Sequence, residues 1–231
     1  MTKRANVYAD ISHKRTFFDS LKSAFLDLRF GFRILDKEKV TPFSNIGCYH
    51  TQSTEYEELK WIFDRVDLQA NDVVMDVGCG RGRPFNYLLS RNFTGDMIGT
   101  EIDSEIANFT AKRLRKQKNI RIISGNALDY IENRISLYFM YNPFKAAMFL
   151  DFVSKIESVH SVAKIIYFNP QNIDFILSRN GWKAEKQTFF SRKRRSYLNC
   201  YYMYYNRVNV GGKRDRLQCY HKINTEVQFT L

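Results

Sequence analysis

The four cysteines of the chain, Cys48, Cys79, Cys200 and Cys219, lie far apart and form no Cys-x-x-Cys pair, so neither a zinc framework nor a disulfide-stapled fold is expected. Its four histidines, His13, His50, His160 and His221, are equally scattered, and none stands at metal-ligand spacing from a cysteine or another histidine. No metal is expected. Apolar runs of the roughly eighteen residues that a membrane span requires are missing, and the opening stretch MTKRANVYADISHKR has no apolar signal-peptide core. Absent too are internal repeats, low-complexity segments, the phosphate-binding pattern Gly-x-x-x-x-Gly-Lys-Ser/Thr and any nucleophile elbow. These gaps lead to the expectation of a cytoplasmic protein, in a reducing compartment, whose chemistry rests on none of those devices.

Aromatic residues and positive charge are what the chain has in quantity. Its 231 residues include 19 Phe and 14 Tyr, and 44% are hydrophobic, a globular composition with apolar side chain enough for one substantial core. Lys and Arg number 36 against 24 Asp and Glu, a formal net charge of +12. Such an excess favours polyanionic partners, and composition leaves three open: nucleic acid, an anionic membrane surface, or an acidic or phosphorylated substrate.

Two regions are expected, an N-terminal extension over 1–48 and a domain over 49–231. Residues 1–15 read as a loosely held arm. From Thr16 to Leu35, the apolar residues Phe17, Phe18, Leu21, Phe25, Leu28, Phe32 and Leu35 recur every three or four positions among Lys22, Arg29 and Arg33, which predicts a basic amphipathic helix. Such a helix packs on the domain or a partner subunit, or lies peripherally on an anionic membrane. Ser53 or Thr54 with Glu57 or Glu58 predicts a capped helix of roughly a dozen residues that buries Leu59, Ile62, Phe63 and Val66.

The centre of the chain is Val73–Arg83, VVMDVGCGRGR. Its apolar start reads as a buried parallel strand, and Gly78, Gly80 and Gly82 give a turn in which main chain approaches a ligand with no Cβ intervening. The dinucleotide fingerprint Gly-x-Gly-x-x-Gly would place its third glycine at position 83, where this chain has Arg83. A helix Pro84–Ser90 follows, aiming its N–H groups at whatever lies in the turn. Further strands are predicted at Met97–Glu101, Ile120–Ser124, Ser136–Tyr141 and Val162–Phe168, with helices Glu105–Lys118, Lys145–Ser158 and Asn172–Asn180 between and after them. Asp103 is expected to cap the helix Glu105–Lys118, whose basic residues Lys112, Arg113, Arg115, Lys116 and Lys118 are expected mostly outward. Trp182–Ser191 and Ser196–Asn206 read as a hairpin around the basic turn Arg192–Arg195.

The glycine segment resembles the first motif of class I S-adenosylmethionine-dependent methyltransferases, and the resemblance covers roughly residues 50–206. It implies an α/β fold: a doubly wound, mostly parallel sheet of seven strands in the order 3-2-1-4-5-7-6, the last strand antiparallel, behind an N-terminal helical extension. It implies S-adenosylmethionine as cofactor, held by Thr54, Asp76, Gly78, Cys79, Gly80, Gly82 and Ile102, with Glu101 on the ribose diol and Asn126 and Ala127 beside adenine. Asn126 stands where the family often has Asp, which keeps hydrogen bonding and removes a charge. By the same resemblance the loop before the first strand, with Tyr49, His50, Gln52, Thr54 and Tyr56, is a candidate lid.

Two strands end in Tyr/Phe-Asn-Pro, which places two polar loops at the carboxyl edge where open α/β sheets bind ligands. The first, Asn142-Pro143-Phe144, is similar to the Asn-Pro-Pro-Tyr/Phe motif of methyltransferases acting on nitrogen, lacking one proline. There Asn and the Pro carbonyl orient the target amine and the ring stacks on it. Asn142, Pro143 and Phe144 are accordingly the candidate catalytic residues, Asn142 also touching the cofactor. The chain as a whole is similar to small bacterial methyltransferases of unassigned or sugar-modifying activity. A small-molecule or saccharide acceptor is therefore expected. The alternatives are a nucleic-acid N-methyltransferase, using the net charge and the Arg192–Arg195 turn, and a non-catalytic cofactor-binding module. Oligomeric state stays open.

Overall fold

The strand sequences are apolar almost throughout, which suits a sheet covered on both faces. In the computed structural model, which describes residues 21–31, 35, 48, 53–171 and 173–207, they form that sheet. Strands β1 (Val73–Val77), β2 (Asp96–Glu101), β3 (Ile120–Ser124), β4 (Leu137–Tyr141) and β5 (Val162–Phe168) run parallel. Strands β6 (Trp182–Ser191) and β7 (Ser196–Asn206) form the expected hairpin, and β7 inserts antiparallel against β5. The order is β3-β2-β1-β4-β5-β7-β6, as the resemblance implied.

Alternation along the strands splits the core in two. Met75, Tyr138, Ile165 and Met203 face α5 (Ala146–Val159) through Phe149, Phe152, Val153 and Ile156. Val74, Leu137, Ile166 and Tyr202 face α2 (Tyr56–Phe63) and α3 (Arg83–Ser90) through Leu59, Ile62, Phe85 and Leu88. On the α5 side Tyr138 is fully buried, and its hydroxyl is satisfied by His160 Nε2 at 2.8 Å.

Several boundaries differ from expectation for local reasons. Helix α2 is capped not by Ser53 or Thr54 but by Glu55, whose side chain and that of Glu58 form a reciprocal capping box. It is eight residues long and leaves Val66 outside. Helix α4 (Ser104–Leu114) begins on Asp103, whose carboxylate accepts from the N–H groups of Glu105 and Ile106. It stops four residues short of Lys118 and buries Ile106, Ala107, Thr110 and Leu114, with Phe109 partly exposed. Helix α6 is the single turn Asp174–Leu177 rather than Asn172–Asn180.

The basic amphipathic helix is described over 21–29 (α1), with the opposite face inward from the one its periodicity predicts. Leu21, Phe25 and Leu28 are exposed, whereas Asp27 is fully buried and Leu26 packs on the core. Beneath the helix, buried Arg83 pairs with Asp27 at 2.9 Å. Phe17, Phe18 and Phe32 lie outside the described residues, as does the 208–231 tail. Among the described residues no helix is long and apolar enough to cross a membrane.

Candidate functional site

A cleft of about 460 Å³ opens at the carboxyl ends of β1, β2, β4 and β5, the crevice where strand order reverses between β1 and β4. Its floor is the turn 78–82. Gly78, Gly80 and Gly82 all have positive φ, at 72°, 50° and 75°, a region that L side chains enter only with strain. A Cβ on Gly78 would also meet Pro143 Cβ at 3.0 Å, so the turn and the loop after β4 close on one another. Gly99, which the sequence did not single out, is required in β2 because a Cβ there would lie 2.7 Å from Cys79 Sγ.

Two acids meet over this floor. Glu101, at the end of β2, accepts from Gly80 N–H at 2.9 Å and from Asp103 N–H at 3.0 Å. Burial raises its pKa, and those two main-chain hydrogen bonds oppose the rise. Asp76, in β1, is 4% exposed and its Oδ2 has no hydrogen-bond partner. Burial, reinforced by the nearby charge of Glu101, pushes its pKa well above the carboxylate range. Thr100 Oγ1 is a second buried polar atom without a partner. Orphaned buried acceptors are costly. Beside positive-φ glycines at the N-terminus of α3, they fit a ligand that brings hydrogen-bond donors and positive charge.

The opposite half of the cleft is polar and aromatic. Asn142 and Asn169, both left-handed at φ 45° and 49°, follow adjacent strands and line it together. Tyr167 hydroxyl donates to Asn142 Oδ1 at 2.9 Å, and Asn169 bonds the Tyr141 hydroxyl. Each asparagine is thus oriented by a tyrosine of the neighbouring strand. Arg194, Ser196 and Leu198 add a wall from the β6–β7 hairpin.

No protein-family model matches the chain. Over 75 residues, 30% of its length, it is 29% identical to a protein of Invertebrate iridescent virus 6 that carries a methyltransferase name, covering 28% of that protein. Over 72 residues, 31% of its length, it is 32% identical to ribosomal RNA small subunit methyltransferase A of Coxiella burnetii, covering 27% of it. The chain therefore matches less than a third of either relative. TrmN from Thermus thermophilus superposes with a TM-score of 0.55 at 10% identity, over 66% of this chain and 49% of that one. Geranyl diphosphate C-methyltransferase from Streptomyces coelicolor, solved with S-adenosyl-L-homocysteine, superposes at 0.52 and 13% identity, over 66% and 76%. The fold is that of the class I methyltransferases.

On this methyltransferase fold the predicted residues fall unequally. Asp76, Gly78, Cys79, Gly80, Gly82, Glu101, Ile102, Asn126, Ala127, Asn142, Pro143, Phe144 and Thr54 all line the one cleft. Within it, Asn126 Oδ1 is already taken by Leu128 N–H at 3.1 Å, capping a 3-10 turn, so the amide presents its NH2 more than its oxygen. Phe144 is 5% exposed, its ring against Phe152 and its main chain bridged to Cys48. It seals the wall more than it offers a stacking face. Tyr56 leaves the lid: its hydroxyl points to Asp27 and Asn86. Tyr49, His50 and Gln52 lie outside the described residues.

The basic features also shift. Arg113 is not on the outer face of α4 but turns in to donate to Asn86 Oδ1, Arg81 O and Gly82 O at 2.7, 2.8 and 3.2 Å. In the hairpin turn, Arg192 pairs with Glu57, Lys193 with Glu55 and Arg194 with Glu58, at 2.7, 2.8 and 2.7 Å. Periodicity and charge counting missed both, since an acidic helix N-terminus more than a hundred residues earlier pairs with three of the turn's four basic residues, leaving Arg195 exposed. Arg192 and Lys193 are well exposed, so Arg192→Ala and Lys193→Ala are each expected to shift denaturant stability by less than about 1 kcal/mol.

Proposed function

We propose that the chain is an S-adenosylmethionine-dependent methyltransferase. The reading is carried by one juxtaposition, an unpartnered buried Asp76 beside a glycine turn whose Gly80 N–H is held by Glu101. S-adenosylmethionine would supply an already activated methyl group, whose transfer calls for alignment and exclusion of water. Asp76 and the main chain of 78–82 would hold the methionine end, and Glu101 would accept from the ribose hydroxyls. Asn126 and Ala127 flank the space left for the base. Asn142, fixed by Tyr167, and Asn169, fixed by Tyr141, would orient the acceptor at the opposite wall.

The acceptor we favour is a small molecule or a saccharide. Its support is the pairing of the basic groups: Arg192, Lys193 and Arg194 of the hairpin turn and Arg113, which would have lined a nucleic-acid groove, are occupied by Glu57, Glu55, Glu58 and main-chain carbonyls. Nucleic acid is the second reading. It draws on the ribosomal RNA methyltransferase among the relatives and on the exposed Lys112, Arg115, Lys116 and Lys118 at the end of α4 and beyond it. Labelled methyl transfer to separated RNA, protein, lipid and saccharide pools tests both, label in the small-molecule or saccharide pool being the expected result. Label in RNA, with steeply salt-dependent binding, would reverse the ranking. No transfer with retained cofactor binding would leave a binding module.

Asn142 is expected to act on transfer rather than on cofactor affinity. Glycine tolerates the left-handed backbone, so Asn142→Gly removes the side chain, and with it the acceptor of Tyr167 hydroxyl, without straining the turn. Turnover should fall at least about tenfold with the dissociation constant for S-adenosylhomocysteine nearly unchanged. Lost binding with rate preserved would place the loop in the cofactor pocket instead.

A further inference from the structure

We infer that Asp27, on the N-terminal helix, is a positioning residue for the cofactor cradle, acting through Arg83; the inference rests on the reading that the cleft binds S-adenosylmethionine. Arg83 is the first residue of α3, directly after the glycine turn, and its guanidinium is 1% exposed. Asp27 meets it side-on, Oδ2 accepting from Nη2 at 2.9 Å and Oδ1 from Nε at 3.3 Å. The same carboxylate accepts from Tyr56 hydroxyl at 2.7 Å and from Leu35 N–H at 3.0 Å. Arg83 Nη1 reaches Thr54 O at 3.4 Å and Glu55 at 3.6 Å. One carboxylate of α1 therefore fixes the start of α3 and, through Tyr56 and Arg83, the segment 54–56 at the edge of the cleft.

A second arginine makes the same connection independently. Arg113 Nη1 donates to Phe30 O, just beyond α1, and to Asn86, while its Nη2 donates to the carbonyls of Arg81 and Gly82. Asn86 in turn donates to Tyr56. Residues 27–30 are thus bonded to the glycine turn from both sides.

A fully buried ion pair is a poor source of stability, because desolvation offsets much of the attraction. What it supplies is direction, since a bidentate guanidinium–carboxylate pair fixes distance and plane together. At a cradle where an error of about 1 Å can cost a hundredfold, that direction is the use of the pair. It also explains why α1 buries Asp27 and leaves Leu21, Phe25 and Leu28 outside.

Amide hydrogen exchange and calorimetry with S-adenosylhomocysteine on the full chain test this. In Asp27→Asn, exchange at residues 80–86 should quicken at least tenfold with β4 and β5 unchanged, and affinity should fall at least fivefold. The double variant Asp27→Leu with Arg83→Met removes both charges and should recover part of the melting temperature lost in Asp27→Asn, the remainder being the acceptor that Tyr56 hydroxyl and Leu35 N–H lose. If the pair matters only for stability, the double variant binds as the wild type does. If it positions the cradle, affinity stays at least fivefold down. Wild-type affinity in the double variant, or faster exchange spread evenly over the sheet, overturns the proposal. A wild-type chain that binds no S-adenosylhomocysteine overturns the cofactor reading instead, and the exchange pattern then decides the role of Asp27 by itself.

Discussion

Glu101→Ala is expected to cost about 3 kcal/mol of affinity for S-adenosylhomocysteine, roughly 150-fold, the upper end for hydrogen bonds to a charged group. Two losses combine in it. The carboxylate that would accept from the ribose hydroxyls disappears, and Gly80 N–H and Asp103 N–H lose the acceptor that now holds them at 2.9 and 3.0 Å. The second loss matters because Gly80, at φ 50°, has no side chain of its own to fix the turn. Glu101→Gln keeps one acceptor oxygen and should retain part of the affinity. Calorimetry on both variants settles it, equal affinity in Glu101→Ala and wild type being the outcome that removes Glu101 from the site.

The second large effect concerns Asp76, where stability and binding should move in opposite directions. Its folded-state pKa lies above the unfolded one because burial and the Glu101 charge disfavour ionisation. A group so shifted contributes its stability fully below the unfolded pKa and loses it as pH rises through the folded one. At neutral pH the empty protein therefore carries a cost at Asp76. Asp76→Asn should remove about 1–2 kcal/mol of that cost and raise Tm by about 2–4 °C for each kcal/mol. A ligand bearing an ammonium and a sulfonium favours the carboxylate. The same variant should bind S-adenosylmethionine at least about tenfold more weakly, the scale of one charge-assisted hydrogen bond. Because the shift is upward and the ligand favours the carboxylate, wild-type binding should release protons on balance and tighten as pH rises, measured as a dependence of the binding heat on buffer ionisation enthalpy. A destabilised Asp76→Asn with unaltered affinity would show that Asp76 is a structural acid.

Much of the sheet was legible in the sequence because strands buried on both faces write themselves as apolar runs, and β5, β6 and β7 fall at the predicted residues. The glycines of the turn were legible because their conformational demands are local, whereas Asp76 and Glu101 were singled out only by the resemblance, and the structure places both in the cleft. What escaped was every group whose partner is distant in sequence. Arg113 reads as a solvated helix face until Asn86 and the carbonyls of 81 and 82 stand beneath it. The hairpin turn reads as a basic patch until α2 brings its three glutamates. Asp27 breaks no pattern in an amphipathic helix, yet it decides which face is buried. Tyr167 and Asn169 gave no signal beyond the repeated Asn-Pro, since their role depends on two strands lying side by side.

The join between α2 and the hairpin turn has a consequence for how the chain reaches its native form. Glu58 accepts from Ser191 and Arg194, 133 and 136 residues later, and β7 inserts between β5 and β6. Contacts of such sequence separation carry a large loop-closure entropy and form slowly. During synthesis, strands β1 to β4 are free to pair as they emerge, but the wall beside Asn142 does not exist until residue 198 has been made. The contacts of the glycine turn with Glu101 and Arg113 are complete within the first 113 residues, whereas the wall beside Asn142 needs the chain as far as Leu198.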